Sequence, residues 1–268
     1  KYAGKLSPGT VAMLKKYPNS YKLNVYPTRR SQAAPEWVYE NTFKNATRVS
    51  ITPDGLGLRG GYGGIPFPIP KRGEEVMFNH LLRYMTGGRE GYYTGGLVLP
   101  NGTYSPGAGG VGREKFPYNV KGGSPETYKG GLYWALLAYS IPTRRSGEIV
   151  MLKDPLNQSE ASRQAWQYLP GQRRVRMAPT LAYDTPNTTY SGVGTWDDTY
   201  LFNGALDRYT WKLVGKKELY IPYNDYKADL VATKDILTPH HLNPENVRWE
   251  LHRVWEVEAT LKAGKRHE

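Results

Sequence analysis

The chain has 268 residues, no cysteine and a formal net charge of +12, from 36 Lys and Arg against 24 Asp and Glu. The lack of cysteine excludes a disulfide framework, a thiolate zinc site and a cysteine nucleophile. No apolar run approaches the ~18 residues of a membrane-crossing helix, and 39% hydrophobic residues with 13% aromatics exclude wholesale disorder. The basic residues are scattered. Their densest groups are Arg173, Arg174 and Arg176, then Lys216 with Lys217 and Arg144 with Arg145. No block of five occurs, so the charge reads as a solvated surface. The chain opens on Lys1 without an apolar leader and reads as mature or trimmed.

Ser7-Pro8 is an N-cap followed by proline at the first helical position, and Pro18 stops the helix it starts. Tyr21 to Tyr26 reads as a short strand. Pro35 opens a second short helix through Phe43, and Arg48 to Thr52 is another strand. The strongest helix signal runs from Gly73 to Met85. Glu74 and Glu75 favour the positive end of the helix dipole, and Phe78, Leu81, Leu82 and Met85 form one apolar face. Leu97 to Tyr104 contains Asn101-Gly102, a tight-hairpin signal. The stretches 105–130 and 222–246 read as long loops. Leu132 to Ile141 is apolar on both faces and reads as a central strand, with Glu148 to Lys153 as its partner. Ala165 to Leu169 and Arg173 to Ala178 flank the turn Pro170-Gly171-Gln172. Tyr209, Trp211 and Leu213 alternate with polar residues, and the pattern resumes at Leu219 to Ile221.

The clearest strand runs from Arg248 to Leu261. One face carries Trp249, Leu251, Arg253, Trp255, Val257, Ala259 and Leu261, and the other is mostly charged. Alternation over 14 residues gives a strand of roughly 46 Å. Lys262 to Lys265 looks like a turn whose return strand is expected beyond Arg266, so the sequence reads as one domain, 1–268, incomplete at its C-terminal end. With short helices and many strands, the fold class expected is α+β, mostly β: a curved antiparallel sheet covered by short helices.

Few motifs carry chemistry. Gly55 to Gly60 matches a dinucleotide fingerprint by letters, but Gly61, Gly63, Gly64 and the run Ile65 to Pro70 preclude the helix it requires. His240 and His241 are adjacent, so on a strand they would point opposite ways; a loop metal site with Asn243 and Glu245 competes with a surface turn. Asp197, Asp198 and Asp207 could form a glycosidase acid pair or cap turns. The aromatic residues do not interleave with the basic clusters, which argues against nucleic acid. The apolar face of the last strand, with Tyr209, Trp211 and Leu213, is either core or the lining of a cavity for an apolar ligand. Burial of each methylene would contribute ~0.8 kcal/mol there. Pro66 to Pro70 is a stiff extended segment, either a rim or a plain structural loop.

Several runs together resemble one family. They are Met13 to Pro18, Tyr26-Pro27-Thr28-Arg29-Arg30-Ser31, Gly63 to Pro70, Asn79-His80 with Arg83-Tyr84, Pro170 to Arg176 with Ala182-Tyr183-Asp184, Phe202-Asn203-Gly204, Asp207-Arg208-Tyr209, and His241-Leu242-Asn243-Pro244-Glu245. The run from Trp211 to Asn224 is quite specific. The sequence resembles the bacterial domain-of-unknown-function 1329 family over almost its whole length. That resemblance implies a Gram-negative envelope protein made with a signal peptide, similar to outer-membrane lipoprotein-sorting proteins. It also implies an unclosed half-barrel like that of LolA and LolB, genes often lying near RND-type exporters, and relatives that continue past Arg266-His267. It supplies no catalytic residues to carry over.

The expected function is therefore a periplasmic or outer-membrane-associated carrier for a hydrophobic ligand such as a lipid or lipoprotein acyl chain. It is expected to be peripheral to the membrane at most and to work with an RND-type exporter. Trp211, Trp249, Leu251, Trp255 and Val257 are the expected lining, with Phe78 and Leu82 on a covering helix. No catalytic residue, metal or cofactor is expected. The alternatives are an envelope enzyme acting on glycan and an adaptor of an export complex.

Overall fold

The computed structural model describes residues 2–158, 160–178, 183–187 and 191–267. In chain order the elements are α1 (Pro8–Lys16), β1 (Asn24–Val25), α2 (Glu36–Arg48), β2 (Ser50–Ile51), β3 (Leu58–Arg59), α3 (Gly73–Leu81), β4 (Gly88–Val98), β5 (Tyr104–Lys115), β6 (Gly131–Ile141), β7 (Ile149–Pro155), β8 (Gln164–Leu169), β9 (Arg174–Met177), β10 (Tyr209–Pro222), α4 (Tyr226–Leu230), α5 (Thr233–Ile236) and β11 (Arg248–Leu261). The architecture is α+β and mostly strand, with unclosed sheets, as the sequence predicts. The chain packs into two compact units. One comprises Lys1–Ala33, Gly95–Pro106 and Val214–Glu256; the other comprises Ala34–Thr94, Gly107–Leu213 and Val257–Glu268.

The larger unit is built on the sheet β4-β5-β6-β7-β8-β9, in sequence order. The pairs from β5–β6 to β8–β9 are antiparallel. Register sets two faces. Glu114, Ala135, Leu152 and Ala165 form one row across the sheet, and Gly112, Leu137 and Val150 form the next on the same face. Ala135, Val150, Leu152 and Ala165 are buried there. On the opposite face Trp134 stands between Lys115 and Lys153, whose ammonium groups lie 5.2 and 5.1 Å from its ring. Cations over an indole face are attracted by its quadrupole, which makes a wet face compatible with tryptophan.

Helix α3 lays Phe78 and the following Leu82 into a core with Phe116, Tyr118, Leu132, Tyr133 and Trp211. Full burial of side chains of this size contributes about 1.5–3 kcal/mol each. The proline run before α3 is held by Asn79, which donates to the Phe67 carbonyl at 2.6 Å and accepts from its N–H at 2.8 Å. Those two bonds satisfy backbone groups that a proline-rich stretch cannot pair with a strand. The glycines before it form no nucleotide loop. β2 and β3 are a short hairpin, and Gly60, at φ +74°, sits where an added Cβ would lie 2.4 Å from the Arg48 carbonyl oxygen.

In the smaller unit, Ser7 caps α1 by accepting from the Thr10 N–H at 3.2 Å. β1 pairs in parallel with the start of β11, matching Asn24 to Arg248 and Val25 to Trp249. Trp249 is buried. Glu250 beside it is also fully buried and takes bonds from the Arg29 N–H, Arg248, His252 and Asn224. His240 is a stacking residue: its ring lies parallel to that of Tyr17 at 4.7 Å. Among the described residues no cluster of His, Asp and Glu is arranged to hold a metal ion.

Candidate functional site

The candidate site is a cleft of about 500 Å³ in the larger unit. Strands β4 to β7 supply one wall, with Tyr93, Gly112, Glu114, Tyr133, Leu137 and Leu152 turned to the same face of the sheet. The segment 196–203 supplies another, through Trp196, Asp198, Tyr200 and Asn203. Gly112 is what keeps the floor low: it stands in the row of Leu137, and the absence of a side chain there leaves room above the sheet.

The segment 196–203 owes its path to two devices. A capping box closes its start, with the Asp198 carboxylate accepting from the Thr195 N–H at 2.8 Å. It then turns sharply through Tyr200 and Leu201, both left-handed at φ 58° and 74°. Such backbone costs on the order of 1 kcal/mol or more for a residue with a Cβ and persists only where surroundings hold it. Here Tyr200 is held by its hydroxyl, which donates to Glu114 and receives a bond from Arg89 at 2.5 Å.

Glu114 is the hub of that arrangement. Its carboxylate also accepts from Tyr133 at 2.7 Å and from Arg89 at 2.5 Å. Burial pushes this carboxyl up, but the bonds from Tyr200, Tyr133 and Arg89 outweigh it and hold the group below its ordinary value. Burial, and then the same carboxylate, push the Tyr200 and Tyr133 hydroxyls up, so both remain neutral donors.

Arg163 borders the cleft from the stretch before β8, and its side chain is only 6% exposed. Its Nε and Nη2 form a fork on Asp154 at 2.5 and 2.7 Å, and Asp154 is fully buried. The third nitrogen, Nη1, is buried with no partner among the described residues, and so is the indole Nε1 of Trp196.

A second hollow of about 310 Å³ is lined by Met77, Asp197, Asp198, Phe202, Trp211 and His267, among others. Asp197 is buried and fully engaged: Thr195 donates its hydroxyl to one oxygen, and His267 lies 2.8 Å from the other. Asp207 accepts from Tyr183 at 2.8 Å. The three aspartates thus have structural partners.

Of the residues the sequence nominates as lining, Phe78, Leu82 and Trp211 are buried in the core of the larger unit, and Val257 packs against it. Trp211 also borders the second hollow. Trp249, Leu251 and Trp255 belong to the smaller unit, where Trp255 carries Lys216 over its ring at 4.6 Å. None of the seven borders the 500 Å³ cleft. Of the cleft residues, Asp198 is among the candidate acids the sequence nominates, but Glu114 and Gly112 left no signal: they fall in a glycine-rich stretch read as loop, which is instead the long strand β5. An alternation of small and charged residues hides a strand when the face turned inward lines a cleft and is not packed.

The fold and cleft define an α+β protein with an open sheet, one face of which bears a cleft lined by aromatic and charged side chains. The chain belongs to the family described as Protein of unknown function (DUF1329), whose model matches residues 1–268. It is 41% identical over 271 residues to the uncharacterized protein PA3922 of Pseudomonas aeruginosa, covering all of this chain and 59% of that protein. The chain therefore spans about three-fifths of the length of that curated relative. Two solved structures are similar over about half their length. One is a DUF1329 family protein from Desulfovibrio piger, at 14% identity and a TM-score of 0.31, covering 48% of this chain and 46% of the other. The other is a domain from Vibrio parahaemolyticus named for outer membrane lipoprotein sorting, at 16% identity and 0.34, covering 56% and 54%. Likenesses at that level do not bear on function. No helix among the described residues is long and apolar enough to cross a membrane.

Proposed function

We propose that the chain is a non-enzymatic binding protein that carries a small hydrophobic or amphipathic ligand, such as a lipid or a lipoprotein acyl chain, in the cleft beside β4–β7. The observation that supports this is the cleft itself. Tyr93, Leu137, Leu152 and Trp196 offer apolar surface, and Arg89, Glu114 and Arg163 offer a polar end. Its volume falls within the ~300–1,000 Å³ of small-molecule sites. At ~0.8 kcal/mol per methylene, an acyl chain needs no catalytic group to be held. The internal bonds of Asp197, Asp198 and Asp207 favour binding over acid–base chemistry, because a general acid or base must be free to reach its substrate. The second hollow beside Trp211 is the proposed place for a longer chain to continue.

The periplasm, or the periplasmic face of a Gram-negative outer membrane, is the proposed location, and an RND-type exporter is the proposed partner. Both rest on the family resemblance, and a cysteine-free chain suits an oxidising compartment. Native mass spectrometry after gentle purification, followed by solvent extraction, tests the carrier reading. A bound mass that extracts as a lipid supports it. A ligand-free chain that takes up no fluorescent acyl probe contradicts it.

A further inference from the structure

The sheet of the larger unit has a second face, turned away from the cleft, and that face is apolar. Leu136, Met151, Trp166 and Met177 stand side by side across β6 to β9. Ala138, Ile149, Tyr168 and Val175 form the neighbouring row. Strand alternation places both rows on the side of Trp134, opposite Ala135, Leu152 and Ala165. With Trp134 they span roughly 14 Å across the strands and 13 Å along them between Cα positions. The buried clusters of this unit do not include these side chains. On β9, Val175 and Met177 are 66% and 63% exposed. A contiguous apolar surface of this kind marks a place of contact with a partner or a membrane.

The charges on the same face decide between occupants. Arg113, Lys115 and Lys153 lie on it, and the acids of strands β5 to β9, Glu114 and Asp154, stand on the other side. Arg113 is paired with Glu90 of β4. Lys115 and Lys153 stand over the Trp134 ring, and Lys153 also lies 5.6 Å from the ring of Trp166. A second copy packed face to face would bring lysine to lysine, because an isologous contact offers each patch only itself and strands β5 to β9 give this face no carboxylate. An anionic lipid surface supplies the missing sign. It also suits the side chains: Trp and Tyr take the level of the headgroups, lysine stems lie along apolar surface with the ammonium in water, and Leu, Ile and Met reach the acyl boundary.

We propose that the outer face of β5 to β9 is the surface by which the chain rests on a bilayer containing anionic lipid. The proposal goes beyond the carrier reading and stands independently of it, since the cleft opens on the opposite face of the same sheet.

The test is co-sedimentation of the chain with vesicles of phosphatidylcholine alone and of phosphatidylcholine with 30% phosphatidylglycerol, at low and high salt. The anionic vesicles should bind at least about tenfold more tightly, and salt should weaken that binding. Val175→Ser with Met177→Ser removes apolar surface without changing charge, at exposed positions of an edge strand. This variant should lose at least about tenfold in partitioning, or 1.4 kcal/mol, and bind a fluorescent acyl probe as the wild type does. Lys115→Gln and Lys153→Gln should each weaken partitioning about fivefold. Equal binding to both vesicle types, or no binding to either, would overturn the proposal. So would a double serine variant that partitions like the wild type, because attraction by the +12 charge alone would then suffice. A dimer in sedimentation equilibrium that the double serine variant dissociates would assign the face to a second copy and also overturn it. Loss of acyl-probe binding by the wild type would remove the carrier reading and leave this proposal standing.

Discussion

Glu114 accepts hydrogen bonds from Arg89, Tyr133 and Tyr200, and each of those residues borders the cleft. A charge-assisted bond contributes about 1.5–3 kcal/mol, more than a neutral one. Glu114→Gln keeps the shape but gives up the charge and turns one acceptor into a donor facing the Tyr200 hydroxyl or Arg89. We predict a loss of about 2 kcal/mol, read as a fall in Tm of several degrees. Ligand affinity should fall with it, because Tyr200 holds its left-handed backbone through this carboxylate. A protein that melts at the wild-type temperature would show that Glu114 does not organise the site. None of these contacts was legible from the sequence: Glu114 and Tyr200 are 86 positions apart, and nothing local in either segment announces the other.

At the scale of elements, the sequence was informative wherever a pattern was local. The Ser7-Pro8 start of α1, the apolar face of α3, the turns after β6 and β8, and all 14 residues of β11 follow from capping, periodicity and turn chemistry. Several elements differ in extent. α2 runs on to Arg48, past the expected end at Phe43, and α3 stops at Leu81, short of Met85. β4 and β5 are 11 and 12 residues long where only a short hairpin around Asn101-Gly102 was expected. Their ladder is sustained by pairing with neighbours, which propensity does not encode: glycine-rich β5 is a strand because β6 lies beside it. The Gly55–Gly60 run belongs here too. Its glycines serve a close turn against α2, and Gly60→Ala forces a Cβ to 2.4 Å from a carbonyl oxygen at positive φ. We predict destabilisation of about 1–3 kcal/mol, visible as a lower urea midpoint with an unchanged slope. A neutral result would mean that the turn tolerates a shift in the backbone.

For the whole molecule, the charge of +12 has a counterpart in how acids are buried. Burial pushes the Glu250 carboxyl up, but bonds from the Arg29 N–H, Arg248, His252 and Asn224 outweigh it and hold it at about 2, against an ordinary 4.5. A carboxyl whose folded pKa is depressed adds stability that is complete above its unfolded pKa and is lost as pH falls through the folded one. His80 works in the same direction at higher pH: burial, then Arg83, lowers it below 6.5, so acid must charge a side chain the fold keeps neutral. Melting temperature should therefore decline in two ranges, first below about pH 6.5 and then between about 4.5 and 2. Glu250→Gln should flatten the lower range and leave the upper one. The reverse trend, rising stability on acidification, would contradict the assignment of these groups.

If the cleft beside β4–β7 is where a ligand sits, filling it abolishes binding, and that is the direct measurement. Gly112 lies on its floor, and a Cβ there would meet Tyr93 and Leu137 at 3.5 and 3.6 Å, ordinary contact distances. Gly112→Phe should fold, occupy the cleft and cut the affinity for a fluorescent acyl probe by more than about tenfold, the loss of at least 1.4 kcal/mol of burial. A folded Gly112→Phe protein that binds the probe as tightly as the wild type would place the ligand elsewhere and contradict the account.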